Sequence, residues 1–227
     1  MTTKRGKQGQ FSRGRLALLA ILAGVLLGGL LIAANAWGAL GDKSSKASGA
    51  QGSLRAERNI LGAPDAPVRV VVYSDFQCVF CGRLHADAEA QIVEKYVRTG
   101  KVRLELRHFA VMGKESMPAA EAALAAADQG KYWEYRDLLF QNYKGVDKGV
   151  FTTENLVRWA GELGLDQARF AEALASGIHR AEVEKDLMEG RSLGLTGVPI
   201  SFINGRQLRG AQPFSVFQQV IEEELAK

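Results

Sequence analysis

The sequence predicts an α/β domain laid down as strand, helix, strand, a block of helices, a hairpin and a closing helix, with one apolar helix ahead of it. Three observations predict this. Val68-Arg69-Val70-Val71-Val72-Tyr73 is a β-branched run, and it leads into Cys78-Val79-Phe80-Cys81 and a helical pattern lasting to about Arg98. Residues 102–109 alternate apolar and charged side chains, the period of a second strand. Ile200-Ser201-Phe202-Ile203, Asn204-Gly205 and Arg206-Gln207-Leu208 read as a strand, a type I′ turn and its return strand.

Length and charge bound the possibilities. The chain has 227 residues, 47% hydrophobic and 24% charged, enough for one globular domain with a sizeable core plus an appendage. The net charge of +4 is concentrated at one end: Lys4, Arg5, Lys7, Arg13 and Arg15 precede any acidic residue. Removing those five from the 29 basic residues leaves 24 against 25 acids. No basic patch interleaved with aromatics follows, so nucleic acid is not an expected partner.

Residues 16–34 are an uninterrupted run of Leu, Ala, Ile, Val and Gly. At a helical rise of about 1.5 Å per residue they span roughly 28 Å, close to the bilayer core. Positive charge before the run places residues 1–15 in the cytoplasm and the rest of the chain outside it, anchored through residues 16–38 as a single-pass span. The alternative is a cleaved secretory signal, with Ala34-Asn35-Ala36 as a small-residue cleavage site. Either way the domain is exported. Residues 39–59 are Gly, Ser, Ala and charge-rich and read as a flexible linker. The domain is then expected over 60–227, with its helical insertion over about 113–193.

Along that domain, Gly100 closes the first helix in a C-cap role, and the β-α-β order implies parallel strands. Five helical stretches follow: 116–129, 132–143, 153–163, a fourth with Asp166 as N-cap that ends near Ser176-Gly177, and 179–193. Their aromatic residues Trp133, Tyr135, Phe140, Trp159 and Phe170 sit at core spacing. Gly210-Ala211-Gln212-Pro213 breaks the hairpin, and 214–226 is an amphipathic closing helix.

The only two cysteines carry the chemistry. A thiolate is the reactive species, and a helix N-terminus favours it through unpaired N–H groups and the positive end of the dipole. Cys78 at that terminus is the expected outermost, attacking thiol. Cys81, almost one turn on, is the expected resolving thiol, able to close a disulfide with Cys78. Two other readings compete. Zinc finds a suggestive Cys78, Cys81 and His85, but no second cysteine pair, and His108 and His179 are distant in sequence, so no metal or other cofactor is expected. A purely structural disulfide across so short a loop would constrain the unfolded chain little. Thr196-Gly197-Val198-Pro199 precedes the strand at 200, where a proline fits the first position. A cis Val198-Pro199 bond there would offer the Val198 backbone to an extended substrate strand, and an ordinary trans proline is the alternative.

Gly62-Ala63-Pro64-Asp65-Ala66-Pro67-Val68, Ser74-Asp75-Phe76-Gln77-Cys78-Val79-Phe80-Cys81, Gly130-Lys131-Tyr132-Trp133-Glu134-Tyr135 and Gly197-Val198-Pro199-Ile200-Ser201-Phe202-Ile203-Asn204-Gly205 together resemble the bacterial DsbA-like thiol–disulfide oxidoreductases. The resemblance covers about residues 60–227. It implies a thioredoxin-like fold with an inserted helical domain, a redox-active Cys78–Cys81 disulfide and a cis-proline at Pro199 facing it. It also implies thiol-containing exported proteins as substrates and a membrane or soluble redox partner. A reductase, an isomerase or a non-catalytic chaperone module are the alternatives.

The chain departs from that family's pattern twice. Its best-known oxidants carry Pro-His between the cysteines, where this chain has Val79-Phe80, which implies a less oxidising couple. A buried Glu often sits six residues before the first cysteine, and here that residue is Val72. Asp75 and His85 are the nearby groups left to modulate the thiols.

Overall fold

The computed structural model describes residues 55–227. The basic tail, the apolar span 16–38 and the linker up to residue 54 lie outside the described residues. Among the described residues, no helix is long and apolar enough to cross a membrane.

Six strands form one sheet: β1 (Ala56–Glu57), β2 (Ile60–Leu61), β3 (Val68–Ser74), β4 (Val102–His108), β5 (Ile200–Ile203) and β6 (Arg206–Arg209). Their spatial order is β1-β2-β4-β3-β5-β6. β3 is central, parallel to β4 and antiparallel to β5. Its side chains alternate between two cores. Val68, Val70 and Val72 enter the larger cluster with Leu84, Ile92, Leu104, Phe217 and Ile221. Val71 and Tyr73 enter a smaller one with Phe109, Leu195 and Ile200 on the opposite face. Asn204 and Gly205 turn the β5–β6 hairpin with φ of 46° and 88°, the positive values a type I′ turn demands.

The helical run after β3 spans 79–97 but is not uniformly α. It passes from α1 (Val79–Leu84) through a π-helical stretch (His85–Glu89) and α2 (Ala90–Ile92) to a second π stretch (Val93–Val97). Between β4 and β5 the chain inserts α3 (Ser116–Ala127), α4 (Tyr132–Asn142), α5 (Thr153–Glu162), α6 (Gln167–Ser176) and α7 (Arg180–Ser192), before α8 (Phe214–Leu225) closes the domain. The Asp166 carboxylate accepts the N–H groups of Ala168 and Arg169, both at 3.0 Å, and so starts α6 as expected. The insertion's aromatic residues are core: Tyr135, Trp159 and Phe170 are buried. This is the thioredoxin-like α/β architecture with a helical insertion.

The linker ends earlier than expected. Ala56–Glu57 pairs antiparallel with Ile60–Leu61. Asn59 exchanges backbone and side-chain hydrogen bonds with Leu106 on β4. Arg58 ion-pairs with Asp128 and, at 2.8 Å, with Glu182. Residues 55–59 therefore belong to the fold rather than to the linker. They are held by backbone bonds and ion pairs that need no apolar periodicity. Gly62, with φ of 108°, follows them where a Cβ would lie 2.6 Å from the Val102 carbonyl oxygen, so only glycine fits this entry to the sheet.

The insertion is tied to itself by a buried acid. Glu115 accepts the N–H groups of Gly149, Val150 and Phe151 at 2.7, 3.0 and 2.9 Å. A charged acceptor shared by three backbone donors is worth more than a neutral bond. Glu115→Ala is expected to destabilise the domain by about 3 kcal/mol, read as a lower urea midpoint.

Candidate active site

The site is built where β3 ends. Cys78 N donates to Asp75 O at 3.1 Å, which turns the chain into α1. Cys78 is the N-cap, in an extended conformation, and its sulfur accepts the Cys81 N–H at 3.4 Å. The sulfur thus occupies the place a Ser or Asp oxygen fills at an ordinary helix start. Both cysteines are free thiols.

Exposure does not separate the two. Cys78 is 3% exposed and Cys81 1%, so the expectation of an outermost Cys78 gives way to a pair that is covered on both members. The side chains standing in solvent are Val79 and Phe80 between them. The thiols differ in electrostatics instead. The Cys81 side chain hydrogen-bonds the Cys78 sulfur, and the Cys81 and Phe80 N–H groups add to it, so the Cys78 pKa falls to about 7 despite partial burial. Burial, together with the neighbouring Cys78, pushes the Cys81 thiol far up. One sulfur is poised as thiolate and the other keeps its proton.

The second segment arrives from β5. The Val198-Pro199 bond is cis. The Cys78 thiol lies 3.6 Å from the Val198 carbonyl oxygen and can donate to it. Residues distant in sequence meet because β5 is the antiparallel neighbour of β3, with Tyr73 opposite Ile200.

Asp75 is not free to act as a base. It is buried, and its carboxylate accepts N–H groups from Gln77, Val111 and Met112, each at 2.8 Å. Burial still raises its pKa. Its geometry is that of a clamp joining the cysteine turn to the loop after β4. Gln77 is a second clamp that sequence reasoning missed: it is fully buried and its side chain donates to Ser116 Oγ at 2.9 Å. No pattern in the sequence marks it, since its partner lies 39 residues on.

His85 faces α4 rather than the thiols. Its ring stacks on Phe140, with centroids 5.0 Å apart, and Arg136 lies 2.7 Å from Nδ1. Burial first and Arg136 second drive its pKa down to about 3, so it is neutral at physiological pH. Arg136 also donates to the buried Glu89 carboxylate at 2.9 Å. Val72 is fully buried and apolar. Ser74, the last residue of β3, is the polar side chain that pulls the Cys81 pKa back down against burial. Among the described residues, no three His, Cys, Asp or Glu side chains converge as metal ligands.

The Cys78 thiolate fraction should follow pH with a midpoint near 7. Its alkylation rate should rise about tenfold from pH 6 to a plateau above pH 8. Cys81→Ala removes the largest stabilising contact and should move that midpoint upward, checked by pH-dependent iodoacetamide kinetics.

The family model described as Thioredoxin matches residues 55–223. A probable disulfide bond formation protein D of Bacillus anthracis is 31% identical over 172 residues, covering 74% of this chain and 78% of the relative. The Na(+)/H(+) antiporter NhaA 3 of Salinispora tropica is 34% identical over 160 residues, 70% of this chain, but the match spans only 23% of the antiporter's length. Among solved structures, oxidised BdbD from Bacillus subtilis superposes with a TM-score of 0.71 at 22% identity, covering 78% of this chain and 99% of that one. The chain belongs to the thioredoxin family, among its DsbA-like thiol–disulfide oxidoreductases.

Proposed function

We propose that this chain is a membrane-tethered, extracytoplasmic thiol–disulfide oxidoreductase that passes a Cys78–Cys81 disulfide to thiols of exported proteins. The observation that carries it is the asymmetry of the pair: a Cys78 sulfur lowered to about 7 at a helix start, against a Cys81 thiol held protonated by burial. In the oxidising direction a substrate thiolate attacks Cys78 and Cys81 leaves. A second substrate thiolate then attacks the mixed disulfide, releasing substrate disulfide and the reduced pair. A redox partner reoxidises it. Stabilising the reduced form through the Cys78 thiolate favours this direction.

The apolar run 16–34 supports the tether and the basic residues before it support a cytoplasmic N-terminus. A compartment outside the cytoplasm is one where a disulfide persists. The backbone of Val198 beside Cys78 supports docking of an extended substrate segment. Val79, Phe80, Val111 and Met112 are large apolar side chains in solvent on the two segments joined by Asp75, a surface suited to unfolded chains.

That apolar surface also suits a chaperone whose cysteines are incidental, and one variant separates the readings. Cys81→Ala should accumulate mixed disulfides through Cys78 in cells, whereas a binding module would accumulate none and keep its activity. The potential is the second test. With Val79-Phe80 in place of Pro-His, redox titration against glutathione should give a value below about −120 mV; a value at or above it overturns the weaker-oxidant reading.

A further inference from the structure

The turn that carries the Cys78 sulfur has little packing on its outer side, since Val79 and Phe80 are 42% and 51% exposed. Whatever fixes Cys78 must therefore reach it from behind. Asp75 does so through the backbone: its carboxylate accepts Gln77 N and its carbonyl accepts Cys78 N. Gln77 does so through its side chain, which is fully buried and belongs to the residue immediately before the nucleophile.

Both ends of the Gln77 amide are engaged, each by a different part of the insertion. Its nitrogen donates to Oγ of Ser116, the first residue of α3, at 2.9 Å. Its oxygen accepts the Asp147 N–H at 2.5 Å. Asp147 stands in a left-handed conformation, φ 53°, in the loop between α4 and α5. Its carboxylate reaches back to the start of α3, where it accepts Lys114 N and Glu115 N at 3.2 and 3.1 Å. Ser116 Oγ also accepts Gly113 N at 3.2 Å. One side chain thus joins the cysteine turn to two loops of the insertion that are distant in sequence. Moving it would leave buried polar groups unmet, at a cost of about 1–3 kcal/mol for each.

We propose that Gln77 is a positioning residue for the Cys78 nucleophile: by locking the turn to Ser116 and Asp147, it keeps the Cys78 sulfur aimed at the Cys81 N–H. The proposal rests on the exchange function above and hands part of the control of that site to the insertion. The sulfur meets the Cys81 N–H at 3.4 Å from an extended backbone, φ −98° and ψ 115°. Rotation of the backbone between Gln77 and Cys78 would carry the sulfur away from the helix start, and the anchored amide opposes it. The thiolate is favoured only while the sulfur faces the N–H groups of the helix start. The titratable groups acting on the sulfur are Cys81, which lowers its pKa, and Asp75, which raises it. The Gln77 amide carries no charge, so its effect comes through placement alone.

The test is the pH profile of Cys78 alkylation by iodoacetamide in the full, reduced chain. Q77M keeps the bulk of the side chain and removes both hydrogen bonds, whereas S116A removes one. In Q77M the midpoint should rise by about one pH unit, which slows alkylation about tenfold at pH 6 and leaves the plateau above about pH 9.5 unchanged. S116A should shift it in the same direction by less. The glutathione equilibrium of Q77M at pH 8 should move about fivefold toward the disulfide, because the reduced form loses thiolate stabilisation. D166A removes the N-cap of α6, so it should lower the urea midpoint and keep the wild-type alkylation profile. A wild-type alkylation midpoint in folded Q77M overturns the proposal, and S116A decides it should Q77M not fold. An equal shift in D166A also overturns it, since the effect would then be general loosening. Failure of the wild-type chain to equilibrate with glutathione overturns the exchange function instead, while the alkylation profiles still report on Gln77.

Discussion

The contact on which the domain depends is the Cys81 N–H pointing at the Cys78 sulfur at 3.4 Å. It makes a thiol the cap of a helix, and a cap must sit where strand gives way to helix. That fixes the relation of β3 to α1, because Cys78 N is itself spent on Asp75 O in the turn between them. Once β3 is placed, β5 can pair with it antiparallel and bring Val198 to the same sulfur. A local helix-start geometry and a non-local strand pairing thus converge on one atom.

The insertion is bound into that arrangement through polar groups as well as through the apolar core it shares with the sheet. Asp75 and Gln77, four and two positions before the helix start at Val79, reach Val111, Met112 and Ser116. Glu115 and Asp147 then organise the loops beyond. Buried acids are costly unless every lone pair finds a donor, and backbone N–H groups supply donors in fixed positions. Such a network is specific because a shifted loop would leave a buried charge unmet. The same atoms that turn β3 into α1 therefore also fix where Val111 and Met112 stand.

Legibility in the sequence followed the range of the physics. The strand, the cysteine pair and the following helix were readable because the period of β3, the spacing of two cysteines and the first turn of a helix are local. Asn204-Gly205 was readable because its positive φ values restrict residue choice. Residues 55–59 read as linker in the sequence, since edge pairing uses backbone atoms common to all residues. His85 looked like a neighbour of the thiols on a helix of regular period. Its ring in fact stacks on Phe140, where the π-helical stretch begins. Gln77 was silent because its partner, Ser116, comes from another element, and no spacing rule joins the two.

The loss of a histidine between the cysteines changes where the tuning of Cys78 comes from. With Val79-Phe80 there, the largest stabilising contact on the Cys78 sulfur is the side chain of Cys81. The proton that steadies the nucleophile is then the same proton that must leave before the pair can close. The two thiols titrate as a unit, and neither can be adjusted alone. A charged histidine would let the attacking thiolate persist whatever the state of the resolving thiol. Here each step of exchange alters the electrostatics of the next, so control over the Cys81 proton is control over both sulfurs.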